Sequence, residues 1–504
     1  SGQEQMQLRI HPHTARSVIP LMDQHNGPLS VHQRIAAADI EQPDARLLVR
    51  DHHYAPAQAI PRSKWRFARD QDGSLVPDAE HVWLENGFEA GRFYDLIYTP
   101  AECRWGSAGF VALRDLGNYL RADPTSPVRD LTLIAEGISQ CGRFLRHFLH
   151  AGMNAAEDGT RCFDGMLIHV AGGRRGEFNH RFAQPSVQPT PSFGHLFPFA
   201  DAPQTDPNTG THEGLLDAVS ATDTCPMIVY TDTASEYWRG DASLAHTEAT
   251  SGADVELPRT VRRYLFSGTQ HGPGLLPYVD SSPRYGVRGQ NLFNTIDYRP
   301  LYRAALENLR DWIQSDIEPP PSQYPRTEDG TAVDRQRAIE TLSALRRIAL
   351  PTVATIPCIH PLHLGDDHAR GIGAYPARIT GPAFPARVSA LDADGNEIAG
   401  IRMPDISIPL ATHTGFAPRH QDCGGAGLLL EYLGSTVPFA LDEATRRDTG
   451  DPRPSIAERY ANRDDYLAKI RKAANELVAH RYLLSEDVDA CVAMAAERYD
   501  ALHK

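Results

Sequence analysis

Three side chains in this sequence have the types and the order needed to move an acyl group. Ser139 stands in Gly137-Ile138-Ser139-Gln140-Cys141-Gly142, between the apolar run LTLIAEG and an apolar-faced segment that opens at Gln140. A sharp strand-to-helix corner exposes a hydroxyl at the C-terminal edge of a sheet. It also sets the next residue's N–H, here that of Gln140, at the start of a helix, where a developing oxyanion can be held. Small residues at 137, 141 and 142 let strand and helix approach; the usual GxSxG pattern has Gly where this chain has Cys141, with Gly one place later. A serine at such a corner also serves as a helix cap, so the partners decide between the two roles. His271, in FSGTQHG, follows an apolar run and sits on a glycine-punctuated loop at the same expected sheet edge, where a neutral imidazole acts as base. The stretch PMIVYTDTASEYWRGDASLAH supplies Asp232, Glu236 and Asp241 as acids to orient that imidazole. Glu236, where the chain leaves its strand and turns back, is favoured over Asp232. A solvated carboxylate or a turn cap is the ordinary use of either.

The elements that must position these groups read as alternating strands and helices from about residue 80 to 275, the pattern of a mainly parallel sheet. RFYDLIYTP (92–100), LTLIAEG, GMLIHVAGG (165–173), PMIVYTD (226–232) and RRYLFSG (262–268) are predicted strands. GFVALRDLGNYLRA (109–122) is a predicted helix with Val111, Leu113, Leu116 and Leu120 near one face, and a second helix runs from Gln140 to Gly152. The Pro-, Thr- and aromatic-rich stretch 176–224 is long for a connection and reads as a lid-like insertion before the acid's strand. EPPPSQYP (318–325) reads as a boundary, dividing a core of 1–320, with extra N-terminal strands, from a C-terminal extension of 321–504 packed on it. Within the extension, residues 387–404 read as a hairpin turning at Asp394-Gly395, and the last 50 residues as two helices, the second opening at Ser485.

Composition narrows the partners. With 504 residues, 41% hydrophobic and 23% charged, the chain buries a substantial core, and its net charge of −14 disfavours nucleic acid and anionic membranes. Seven scattered cysteines form no CxxC pair and argue against a dense disulfide framework. No run of about 18 apolar residues predicts a membrane span. The opening SGQEQMQLRIHPH has neither an initiator methionine nor the apolar stretch of a signal peptide and reads as a processed or cloning-derived end.

Other chemistry-bearing residues carry a structural alternative beside the functional one. Asn179, His180 and Arg181, after the strand that follows the elbow, stand near the expected substrate position or tie the long loop down. Tyr237 and Trp238, beside the favoured acid, line a pocket or simply pack. His360, His363, Asp366 and His368, and the pair His52 and His53, match no hydrolytic metal spacing, so no metal is expected. DADGNE opens like a calcium loop but lacks its closing glutamate and reads as a turn. Neither a P-loop nor a GxGxxG after a strand supports a nucleotide, so no cofactor is expected.

With these motifs in view, the chain resembles the bacterial "alpha/beta hydrolase domain" family, whose members carry a GxSQxGR turn. GFVALRDLGNYLR, GISQCGRFLRHFL, FDGMLIHVAGGRRGEFNHRFAQPS, SEYWRGDASL, GTQHG, LDADGNEIAGIRMPDISIPLATHTG and DPRPSIAERY carry the likeness from about residue 80 to the end. The usual turn has Ser at the position of Cys141. The elbow and GTQHG are also similar, locally, to those of glucuronoyl esterases. The resemblance implies an α/β-hydrolase fold, helices on both faces of the sheet, and serine carboxylesterase-like activity. The expected reaction is two-step acyl transfer to water on a small or medium neutral ester. Ser139 is its nucleophile, His271 its base and Glu236 its acid, with oxyanion donors at Gln140 N–H and around Glu102 to Arg104. Lactone hydrolysis, acyl transfer to an alcohol or amide hydrolysis on the same triad, and a hydrolase-like binding protein without activity, are the alternatives.

Overall fold

Seven strands precede the first α-helix among the residues described by the computed structural model, which are 4–23, 26, 34–102, 108–129, 131–178, 180–184, 186, 191–283 and 285–504. They are β1 (Met6–Ile10), β2 (Arg16–Pro20), β3 (Arg46–Arg50), β4 (Gln58–Ile60), β5 (Trp65–Gln71), β6 (Ser74–Phe88) and β7 (Phe93–Tyr98). Two antiparallel sheets result, ordered β1-β7-β3-β4 and β2-β6-β5, and they share one apolar core with Leu8, Leu47, Trp65, Val82 and Leu96. RFYDLIYTP thus lies in an antiparallel sheet, apart from the parallel one. The correction has a simple cause. All six residues of β7 are buried, and an apolar run buried on both faces reads the same whichever partner it takes.

Helix α1 (Ala108–Ala122) follows, but it buries Phe110 and Gly117 and leaves Val111 and Leu116 40% and 51% exposed. Half of the predicted apolar face is therefore turned out, while Leu113 packs on the core that holds Phe110. A Cβ on Gly117 would stand 3.0 Å from Cys162 Cβ and Phe163 Cζ, so close approach at a glycine, rather than the apolar stripe, sets the helix's rotation.

Strand β8 (Ile134–Ile138) leads through Ser139 into α2 (Gln140–His150), and β9 (Gly165–His169) follows. The 176–224 stretch holds a short hairpin, β10 (Gln204–Thr205) with β11 (His212–Glu213), and α3 (Asp217–Ala221). After it come β12 (Met227–Thr233), α4 (Ala234–Trp238), β13 (Val261–Phe266) and α5 (Arg299–Ser315). β13-β12-β9-β8 make one sheet, every pair parallel. Strand alternation sends Met166, Ile168, Ile228 and Tyr230 toward α2's Leu145, Phe148 and Leu149. Their neighbours Leu167 and Val229 turn to the other face, against Leu301, Leu309 and Trp312 of α5. Helices thus cover both faces.

The C-terminal region enters this sheet. Gln323 pairs in parallel with Tyr264, and Ile401 with Phe266, so the proline-rich EPPPSQYP runs along β13. The 387–404 stretch closes its turn with a Leu391–Glu397 bridge, around Asp392, whose carboxylate accepts from Asp394 N (3.0 Å) and Asn396 N (2.9 Å). Its first arm pairs instead with Ala332–Asp334. The chain ends in two packed helices, Arg463–Ala479 and Val488–Leu502, the second preceded by a short turn at Ser485–Asp487. Among the described residues no helix is long and apolar enough to cross a membrane.

Candidate active site

Ser139 occupies the corner between β8 and α2 at φ 56° and ψ −111°, a region costly for a residue with a Cβ and found where neighbouring structure enforces it. The enforcement is visible. Ser139 N donates to His169 O across the sheet (2.8 Å). A Cβ on Gly137 would lie 2.5 Å from Cys141 O, and one on Gly142 would lie 3.0 Å from His169 O and 3.1 Å from Ala171 Cβ. The close approaches fall at 137 and 142, whereas Cys141 is exposed. A thiol at 141 therefore costs the corner nothing. Gln140 is the first residue of α2, and amides in a helix's first turn have no carbonyl partner within the helix.

The other two groups arrive from the ends of β12 and β13. Ser139 Oγ donates to His271 Nε2 (2.9 Å), and His271 Nδ1 donates to Glu236 Oε1 (2.6 Å). Glu236 sits at the third position of α4. Its Oε2 accepts from Thr233 N (2.9 Å) and Thr233 Oγ1 (2.5 Å), the return contact of a capping box, while Oε1 is left to face the imidazole. Burial alone raises the carboxyl's pKa, but the His271 charge and hydrogen bond, with Arg239 and Thr233, outweigh it and hold Glu236 below the usual range. Asp232 points elsewhere. Its oxygens accept from Gly172 N (2.9 Å) and Arg263 Nη1 (2.9 Å), and burial pushes it up to about 6. Asp241 is held by Arg239 (2.7 Å) and Arg174 (3.2 Å).

The His271 loop is held by residues that sequence reasoning did not single out. Glu397 Oε2 accepts from Gly268 N (2.7 Å), Asn294 Nδ2 donates to Gly268 O (2.7 Å), Gly434 N donates to Gln270 Oε1 (3.0 Å), and Tyr298 Oη donates to His271 O (2.6 Å). Tyr298 Oη also accepts from His169 Nε2 (3.1 Å), whose Nδ1 accepts from Thr231 Oγ1 (2.8 Å). Burial pushes His169 down to about 3, so it stays neutral. Gln270, His169, Thr231 and Glu397 lie in motifs quoted above, but each reads there as part of a strand, a loop or a turn, whereas Asn294, Tyr298 and Gly434 lie in none.

Beside the imidazole lies a cavity of about 70 Å³, lined by residues including Arg174, Ser235, Trp238, Arg239, Phe416 and Tyr432. Tyr432, with φ 67°, packs against His271 with its ring tilted by 42°, 4.7 Å between ring centroids. Trp238 thus faces this space, packed on Phe416 at 4.5 Å. Tyr237 is turned into the core, its hydroxyl 3.0 Å from His246 Nε2. His180 stacks on Phe193 at 4.1 Å, its Nε2 3.5 Å from Glu177, and Arg181 pairs with Glu4 at 2.9 Å. Asn179, and Cys103 and Arg104 of the expected oxyanion loop, lie outside the described residues. His53 lines the cavity, whereas His360 Nδ1 meets Gly381 O (3.2 Å) and His368 Nδ1 meets Gly365 O (2.9 Å). Among the described residues no three His, Cys, Asp or Glu side chains converge as a metal site.

Residues 78–493 match the family described as alpha/beta hydrolase domain. No curated protein and no solved structure matches the chain.

Proposed function

Because the chain belongs to the alpha/beta hydrolase domain family, we propose that it hydrolyses carboxylic esters through an acyl-enzyme formed on Ser139. His271 takes the Ser139 proton at Nε2 as Oγ bonds to the ester carbonyl carbon, and the carbonyl oxygen becomes an oxyanion held by Gln140 N–H. The C–O bond to the alcohol then breaks, and His271 returns the proton to the departing alkoxide. A water repeats the cycle. It loses a proton to Nε2, its oxygen bonds to the acyl carbon, and the Ser139 C–O bond breaks as Oγ regains a proton, releasing the acid. Throughout, Glu236 holds the Nδ1–H tautomer and offsets the imidazolium's charge.

The observation that supports this reading is the unbroken donor chain from Ser139 Oγ through His271 to Glu236 at a strained strand-to-helix corner. Ser139→Ala is expected to lose turnover of p-nitrophenyl butyrate by roughly three to six orders of magnitude while keeping its circular dichroism, and to lose covalent labelling by a fluorophosphonate. A Ser139→Ala protein that still turns the ester over would sink the assignment.

A further inference from the structure

Ser235, Glu431 and Tyr432 line the cavity beside His271, and none of these three side chains has a hydrogen-bond partner among the described residues. Ser235 is only 9% exposed. Trp238, Phe416 and Leu430 close the rest of the space with apolar surface. A polar group withdrawn from water without a partner is costly, and a carboxylate is the costliest of the three.

Glu431 is surrounded by charge and still lacks a donor. Burial pushes it above its usual range, against the pull of Arg419, Arg239 and Arg174. Those guanidiniums act from positions where they hold other acceptors. Arg239 and Arg174 donate to Asp241 (2.7 and 3.2 Å), and Arg419 donates to the carbonyls of Gly424 (3.0 Å) and Cys423 (2.6 Å). The charge of Glu431 in turn reaches the Tyr432 hydroxyl, so a free acceptor and a free hydroxyl stand on one stretch of wall. The charges then choose the ligand. A carboxylate here is repelled by Glu431, and an ammonium by the three arginines. A hydroxyl meets neither objection: it donates to the carboxylate, accepts from Ser235 or Tyr432, and leaves the balance of buried charge as it is.

We infer that Glu431, with Ser235 and Tyr432, holds an uncharged hydroxyl group carried by the ester, so that the preferred substrate is a neutral hydroxy-ester. The position fits. Tyr432 borders both the cavity and His271, at 4.7 Å between ring centroids, and Ser235 directly precedes Glu236 in α4. The cavity thus begins one side chain away from the imidazole. The room fits too, since about 10–15 Å³ on this scale admits one water and about 70 Å³ is present. Trp238 and Phe416 supply an apolar wall for the short carbon chain that bears the hydroxyl.

This inference rests on the reading of the site as an esterase that uses Ser139, and the test separates the two. p-Nitrophenyl ω-hydroxyhexanoate and p-nitrophenyl heptanoate exchange a hydroxyl for a methyl on the acid half; ω-hydroxybutyl butyrate and pentyl butyrate do so on the alcohol half. The apolar wall alone favours the methyl. In one of the two pairs the wild-type kcat/KM is expected to favour the hydroxyl by about tenfold or more, because the isostere leaves the buried acceptor unfilled, and in Glu431→Gln that ratio falls toward one. Where Glu431→Gln does not fold, the wild type decides: counterparts of the responding ester with an ammonium or a carboxylate in place of the hydroxyl are each expected to be about tenfold poorer. Ratios near or below one in both pairs, a charged counterpart preferred over the hydroxyl, or an unchanged ratio in folded Glu431→Gln overturn the hydroxyl site and leave the nucleophile standing. Unchanged turnover in Ser139→Ala overturns the nucleophile instead, and the wild-type ratios then decide the cavity alone.

Discussion

Replacing Glu236 and Asp232 one at a time should separate an acid that acts on the imidazole from one that holds the fold. In Glu236→Gln the two Thr233 donors still require an acceptor, so the amide oxygen stays on them and the amide nitrogen turns toward His271 Nδ1. That nitrogen is a donor. It forces Nδ1 to accept and Nε2 to carry the proton, and Nε2 then has no lone pair for the Ser139 hydroxyl. The imidazolium formed during attack also loses its buried counter-charge, since Glu236 is fully buried and 2.6 Å from Nδ1. Neutralising an acid in this arrangement costs about four orders of magnitude in kcat, and the capping contact keeps the fold. In Asp232→Asn the effects reverse. Arg263 loses the partner at 2.9 Å and keeps Asp201 at 3.6 Å, a loss of about 3 kcal/mol of stability, while kcat of the folded enzyme stays within a few-fold. The assays are initial rates on p-nitrophenyl butyrate and urea unfolding of each variant. Full kcat in Glu236→Gln, or a four-order loss in an Asp232→Asn protein of wild-type stability, refutes the reasoning.

Three further outcomes follow from the same geometry. Cys141→Ser should keep wild-type turnover and stability within about 0.5 kcal/mol, because Cys141 is exposed and the tight contacts fall on Gly137 and Gly142; a lost activity would show that the thiol does more than occupy the turn. Tyr298→Phe removes the donor to His271 O and should lower kcat about fivefold, the worth of one hydrogen bond of about 1 kcal/mol, with KM unchanged; an altered KM at constant kcat would place Tyr298 on the substrate. Glu397 is pushed from 4.5 up to about 7 by burial, against one hydrogen bond from Gly268 N. A carboxyl raised on folding stabilises most below its unfolded pKa and loses that contribution as pH rises through its folded value. Glu397→Gln should therefore gain about 3 kcal/mol on the wild type between pH 4.5 and 8, measured as urea unfolding free energies; a pH-independent difference refutes it.

The parts of this site that were legible in the sequence are those set by near neighbours along the chain. The corner at Ser139 needs a small residue two before it and another three after it, and both are glycines in the quoted stretch. The choice between Glu236 and Asp232 is harder, because Asp232 lies at the end of β12 and Glu236 just beyond it, and they differ by contacts the strand does not contain. Thr233 turns Glu236 outward from three residues away, and Arg263 claims Asp232 from the neighbouring strand. The rotation of α1 is only half legible for the same reason, since Leu113 reaches the core but Gly117 meets Cys162 and Phe163 and no pattern within the helix records that approach. Charge is the least legible quantity of all. A net of −14 argues truly about long-range partners, where solvent screens and sums the surface. It says nothing of the buried wall where Arg174 and Arg239 meet Asp241 and Glu431, because a few buried charges set the field there.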